Sequence, residues 1–266
     1  METADLKIAI IGAGNMGGAI ARGLTKGKLV QSKNIRVSDI TQANLDAIKA
    51  FDSEITVATS NRDIIEGADI IILALKPWLV EVVAEEIENK VDLNKQIIVS
   101  VAAGVDFSKL SEFFGKQATI FRVIPNTAID VLQSVSTISS FNAKKEQEEL
   151  IVALFAELGK VFLVPETQLN AFMSLSSCGI AYAFRYIRAA MEGGVEMGIY
   201  PGVAKEVVIQ TLRGAIDLLE ANASHPEVEI DKVTTPGGIT IKGLNEMEGR
   251  GFTNAVIKGL KASHLK

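Results

Sequence analysis

Apolar residues in the first 165 positions fall into short unbroken runs, separated by stretches whose apolar spacing is helical. Residues 7–11, 35–38, 54–57, 69–75, 96–101, 119–123, 135–139 and 160–164 read as strands. The run Ile70-Ile71-Ile72-Leu73-Ala74-Leu75 shows no polar alternation, as expected of a central strand covered on both faces. A small-residue helix follows Gly17, and another spans 42–50. Ser60-Asn61-Arg62-Asp63 opens a third, Pro77 starts a fourth at its first turn, and an amphipathic helix covers 144–157. Strands alternating with helices predict a mainly parallel sheet. From Glu166 onward no strand pattern remains: 169–197, 202–223, 239–247 and 251–265 all carry helical periodicity. The predicted architecture is therefore α/β over 1–165, followed by an all-helical domain over 166–266. The Gly193-Gly194 pair inside a helical pattern points to close helix approach. So much apolar face on a small helical domain predicts a homo-oligomer.

Composition narrows the class without changing that picture. A chain of 266 residues, 48% hydrophobic, with net charge −5 is an ordinary globular protein large enough for two cores. The acidic balance gives no footprint for nucleic acid. The single Cys178 excludes an intramolecular disulfide, which fits a reducing compartment. The start, Met1 to Asp5, is acidic and lacks the basic region of a signal peptide. The apolar runs fall short of the ~20 residues a membrane span needs. A cytoplasmic, unanchored protein is expected, with no metal site.

The chemistry gathers at strand ends. Gly12-Ala13-Gly14-Asn15-Met16-Gly17 is a G-x-G-x-x-G turn with a strand before it and a helix after it, the context in which this fingerprint indicates a Rossmann-type, doubly wound dinucleotide-binding domain. Gly12 permits the turn, Gly14 clears the approach of a pyrophosphate, and Gly17 lets helix and strand pack. The anion would sit on free N–H groups at a helix N-terminus. Asp39, at the end of the second strand and about 20 residues beyond Gly17, stands where such units place the acid that holds the adenine ribose. A carboxylate there favours NADH, unless Asp39 turns outward and Ser38 and Thr41 take a 2′-phosphate. The alternative for Asp39 is an N-cap of the next helix. Leu75, Lys76 and Pro77, then Ala102, Ala103 and Gly104, and finally Asn126 with Thr127, lie at the carboxyl ends of later strands, where open parallel sheets bind ligands. A solvated Lys76, and an Asn126 that merely satisfies a turn, are the plain alternatives.

In the helical half, Thr235-Pro236-Gly237-Gly238-Ile239-Thr240 ends one helix and starts another. Free N–H groups from Gly238, Ile239 and Thr240 would converge there on a small carboxylate. An interhelical turn whose threonines only cap is the alternative.

The segment 11–17, Lys76-Pro77, Ala103-Gly104-Val105, 122–127, Gly179 with 181–184 and above all 233–244 together resemble pyrroline-5-carboxylate reductase along essentially the whole chain. The resemblance implies NAD(P)H-dependent reduction of 1-pyrroline-5-carboxylate to L-proline, the last step of proline biosynthesis, with NADPH the family's common cofactor. It implies a C-terminal dimerisation and substrate domain, a homodimer interlocked through those helices and often a ring-like decamer. It places nucleotide contacts on 12–17, Asp39, Lys76 and Ala103, the substrate carboxylate on the backbone of 235–240, and Thr240 near the imine nitrogen. Ile180 and Ala128 stand where the family usually has proline.

Reducing a cyclic imine needs a hydride donor, a carboxylate anchor and a proton on nitrogen, with the reacting atoms held about 3–3.5 Å apart. No strong base is required, in keeping with histidines only at positions 225 and 264. Thr240 is the expected catalytic donor. A related imine or β-hydroxyacid dehydrogenase is the nearest rival, but hydroxyacid enzymes of this shape carry a lysine on the first long helix of the second domain, and none occurs between Lys160 and Lys205. Cys178 has no neighbouring histidine and reads as a small hydrophobe. A non-catalytic dinucleotide sensor is the other alternative.

Overall fold

The computed structural model describes residues 5–264. The acidic start at 1–4 and the last predicted helical residue, Leu265, lie outside the described residues.

The chain forms β1 (Ile8–Ile11), α1 (Asn15–Lys26), β2 (Ile35–Ser38), α2 (Gln42–Phe51), β3 (Thr56–Ala58), α3 (Asn61–Ile65), β4 (Ile70–Leu73), α4 (Val80–Ile87), β5 (Ile97–Ser100), α5 (Phe107–Phe114), β6 (Thr119–Ile124), β7 (Ser134–Phe141), α6 (Lys145–Ala156) and β8 (Gly159–Leu163). After α7 (Leu169–Met173) come α8 (Gly179–Glu196), α9 (Pro201–Asn222), α10 (Pro226–Val233), α11 (Ile239–Gly249) and α12 (Phe252–Ala262). No helix among the described residues is long and apolar enough to cross a membrane.

The eight strands form one sheet in the order β3-β2-β1-β4-β5-β6-β7-β8. Every neighbouring pair is parallel except β6 and β7, which run antiparallel with Ile124 opposite Thr137. The nine residues between Ile124 and Ser134 are too few for a crossover, which takes about a dozen or more. The chain therefore reverses through a 3₁₀ turn at Thr127–Val131.

Side chains of the central strands alternate between two cores. Ile8, Ile10, Ile70 and Ile72 point into the layer shared with α1, α2 and α6, whereas Ala9, Ile11, Ile71 and Leu73 point into the layer shared with α3, α4 and α5. Each buried isoleucine contributes roughly 1.5–3 kcal/mol, so all-apolar β4 anchors both layers at once.

Packing divides the chain into a unit through Ser177 and a helical unit, Cys178–Ser263. Residues 166–177, helical in texture as the sequence suggests, thus pack with the sheet: Leu169 and Met173 close a small cluster over Ile124. The expected single helix over 169–197 is interrupted by a π-helical turn, Ser174–Cys178. In the helical unit Gly194 lets α8 approach α9, because a Cβ there would stand 3.2 Å from Ala204 Cβ, while Gly193 faces open space. The helix α10 is the one expected to end at the Thr235–Gly238 turn, and it starts at Pro226.

Candidate functional site

The glycine turn separates protein-driven from ligand-driven requirements. Gly12 has φ +98° and donates its N–H to Ser38 O at 2.7 Å. A Cβ on Gly12 would lie 2.5 Å from Ala74 O, and one on Gly17 would lie 1.9 Å from Gly12 O. Both glycines are therefore demanded by the close approach of α1 to β1 and β4. Gly14 is different: its φ is −65°, and a Cβ would meet nothing within 4 Å. Nothing in the protein requires glycine there, whereas a pyrophosphate approaching the exposed backbone would. Gly18 N–H makes the first intrahelical bond, to Gly14 O, which leaves the N–H groups of Asn15, Met16 and Gly17 unpaired within the helix at its positive end. A dinucleotide fits this donor set.

Asp39 is tied to this turn. One carboxylate oxygen accepts the Ala13 N–H at 2.6 Å and the other accepts the Thr41 N–H at 2.7 Å. The N-cap of α2 is Thr41, so Asp39 supports the turn before the helix and does not cap it. Ser38 is fully buried and donates to Asn61 Oδ1 at 2.7 Å. It is thus not free to receive a 2′-phosphate.

Beyond β4, Leu75 is half-buried and Lys76 is exposed without an ion pair among the described residues. Pro77 is the first residue of a 3₁₀ turn, Pro77–Leu79, leading into α4. Beyond β5, Ala102 is buried, Ala103 is exposed and Gly104 has φ +78°.

Asn126 takes the turn-satisfying arrangement that is its plain alternative. It is only 5% exposed, its Oδ1 accepts the Ala128 N–H at 3.1 Å, and its Nδ2 donates to Ser176 O at 3.3 Å. Its amide caps the turn and joins it to residue Ser176.

In the helical unit, Thr235 to Thr240 form the turn into α11, whose N-cap is Gly238. Gly237 has φ +71°, which calls for glycine. The Gly238 N–H closes this turn on Thr235 O at 2.9 Å, so it is not one of the free donors anticipated. The free donors start one residue later, with Ile239 and Thr240 in the first turn of an 11-residue helix. Thr235, Pro236, Ile239 and Thr240 are exposed, Ile239 at 87%. On the preceding α10, hydrogen bonds first from Lys232 and then from Ser224 hold the Glu229 carboxyl below its usual range.

Among the described residues, neither His225 nor Cys178 has a partner suited to catalysis. His225 caps α10, its Nδ1 accepting the Glu227 N–H at 3.3 Å. Cys178 is half-buried, not buried, at the last position of the π turn. The sequence reading missed the pair Arg122 and Glu166, which meet at 2.6 Å; a charged residue inside the run Ile120-Phe121-Arg122-Val123 was the available signal.

Comparisons with known proteins agree along the chain. Residues 166–266 match the family model "Pyrroline-5-carboxylate reductase dimerisation", and residues 7–104 match "NADP oxidoreductase coenzyme F420-dependent". Pyrroline-5-carboxylate reductase of Arabidopsis thaliana is 35% identical, over 97% of this chain and 95% of that protein. Pyrroline-5-carboxylate reductase 1 of Dictyostelium discoideum is 37% identical over 100% of this chain, which spans half of that longer relative. Pyrroline carboxylate reductase of Plasmodium falciparum, solved with NADP bound, superposes with a TM-score of 0.90 at 25% identity, covering 99% of this chain and 96% of that one.

Proposed function

The chain belongs to the pyrroline-5-carboxylate reductase family, and from that premise we propose that it reduces 1-pyrroline-5-carboxylate to L-proline with NAD(P)H, the last step of proline biosynthesis. The bare Gly14, open on the side where nothing in the protein needs the space, is the observation that carries the cofactor half of this reading.

When bound, the reduced nicotinamide supplies a hydride to the imine carbon. The N–H groups of Asn15, Met16 and Gly17 hold the pyrophosphate, with Gly12 and Ala13 shaping the turn. Asp39 takes the adenine ribose while Ile40, 90% exposed, offers apolar surface to the base. Leu75, Lys76, Pro77, Ala102, Ala103 and Gly104 line the path towards the nicotinamide. The substrate sits on residues 235–240, its carboxylate on the N–H groups of Ile239 and Thr240, and the Thr240 hydroxyl donates to the ring nitrogen.

The helical domain, 166–266, also carries homo-oligomerisation, through a homodimer and on to a decamer. Between Cys178 and Ser263 only Gly194 and Ala204 are buried, and an apolar groove of about 560 Å³ runs past Tyr182, Tyr186, Met247, Phe252 and Val256. Such surface needs cover. A cytoplasmic setting completes the reading.

Purified protein mixed with 1-pyrroline-5-carboxylate should oxidise both NADH and NADPH, followed at the nicotinamide absorbance. No oxidation of either would leave a dinucleotide sensor in place of a reductase. Asp39 makes NADH the preferred donor, since its fixed carboxylate accepts a 2′-hydroxyl and repels a 2′-phosphate, by about 4 kcal/mol per unit charge pair at 4 Å and a surface-like dielectric. Asp39→Ser should shift the NADH to NADPH ratio of kcat/KM towards NADPH by about tenfold or more. An unchanged ratio would remove Asp39 from cofactor choice.

A further inference from the structure

We propose that Arg122 and Glu166 are a positioning pair for hydride transfer, setting the two loops that lie at the nicotinamide end of the cofactor path; the inference rests on the reductase reading above. The Arg122 side chain, on β6, is 5% exposed and donates through Nη1 to Glu166 Oε1 at 2.6 Å. The same oxygen accepts the N–H of Phe107 at 2.7 Å. Phe107 opens α5, three residues after Gly104, and its ring lies 6.0 Å from the guanidinium carbon. One carboxylate oxygen thus joins three elements: the strand that delivers Pro125, the helix that follows Gly104, and the segment 166–177. The far end of that segment is tied back to the loop after β6, with the Ser177 hydroxyl donating to Pro125 O at 2.9 Å and Asn126 Nδ2 to Ser176 O. Both loops are therefore pinned to one segment, each at a different end.

Holding a fold together does not need this arrangement. Arg122 Nε is buried and has no hydrogen-bond partner among the described residues. Arg122 is buried and Glu166 is 32% exposed; an ion pair that is partly desolvated contributes little net stability, and replacing even a fully buried one with apolar groups of similar size is often neutral or stabilising. What the pair supplies is a fixed meeting point: one short charge-assisted bond from Arg122 Nη1 and the Phe107 N–H converge on the same Glu166 oxygen. The adenosine half of the cofactor rests on the glycine turn, at the other end of the path, so a loosened pair would misplace the reacting ring and leave overall cofactor affinity alone.

The test is the double variant Arg122→Met/Glu166→Gln, in which no charge is left unpaired and the new amide oxygen can still accept from Phe107. Its Tm and calorimetric NADH Kd should stay close to wild type, the Kd within about twofold, while kcat falls at least about tenfold, since small misplacements of reacting groups are costly. Arg122→Lys, which keeps the charge and changes the reach and planarity of the donor, should fall between the two. Wild-type kcat in either variant would overturn the proposal. So would a kcat loss matched by equal losses in Tm and cofactor affinity, the pattern of a merely structural tie. Wild-type protein that binds NADH but never turns over pyrroline-5-carboxylate would overturn the reductase reading and this inference with it, an outcome distinguishable from failure of the pair alone.

Discussion

Gly17→Ala should strip the protein of stability, while Gly14→Ala, three residues away, should leave stability untouched and remove the cofactor. At Gly17 the new methyl would stand 1.9 Å from Gly12 O and 2.9 Å from Ala74 Cβ. Neither neighbour can yield, because Gly12 is held by its 2.7 Å bond to Ser38 O and Ala74 by its own to Ile11 O. Overpacking against fixed backbone costs about 3 kcal/mol or more, which for a chain of this size lowers Tm by roughly 6–12 °C. At Gly14 the backbone is extended with a negative φ of −65°, which alanine adopts, and nothing lies within 4 Å. Stability should then change by less than about 0.5 kcal/mol. The methyl would, however, occupy the approach of the pyrophosphate, so the NADH Kd should rise at least about tenfold, a loss of about 1.4 kcal/mol. Thermal scans and calorimetry on the two variants decide the matter. If Gly14→Ala binds NADH as wild type does, the turn is a packing device and the pyrophosphate lies elsewhere.

That contrast also marks how far the sequence could be read. The spacing of Gly12, Gly14 and Gly17 announced a cofactor turn and a separate reason for each glycine; what the neighbouring Ala74 and Gly12 carbonyls add is how little space there is at Gly12 and Gly17. The strands were legible because a parallel sheet covered on both faces must be apolar throughout, as Ile70 to Leu73 are. The direction of β7 was not, since antiparallel pairing with β6 follows from the length of a connection and leaves no trace in apolar pattern. Residues 166–177 read as part of the helical half because their composition is helical. Their attachment to the sheet comes from Leu169 and Met173 packing over Ile124, a contact across more than 40 positions that local apolar pattern does not show. Asn126 shows where the sequence left two readings open: its place at a strand end suggested a ligand, and a short polar side chain beside a turn also bonds Ala128 and Ser176. Local chemistry was readable; competition for the same donor was not.

Thr240→Ala should lower kcat/KM with pyrroline-5-carboxylate by about 10²-fold or more, equivalent to about 2.7 kcal/mol of lost transition-state stabilisation. As hydride reaches the imine carbon, the electron pair of the C=N bond moves to nitrogen, which must end as a protonated amine. A hydroxyl donor at that nitrogen gains strength as the charge shifts, so its loss weighs on the transition state more than on the bound substrate. Thr240 is the second residue of α11 and is exposed. Its own backbone N–H stays available for the carboxylate, which is why KM should rise little in the alanine variant. Thr240→Ser keeps the hydroxyl and should retain most of kcat, whereas Thr240→Val keeps the shape and should behave like alanine. Steady-state kinetics of the three variants, with NADH binding checked by calorimetry, separate donor from packing: a valine variant as active as wild type would take the hydroxyl out of the mechanism and leave proton delivery to water.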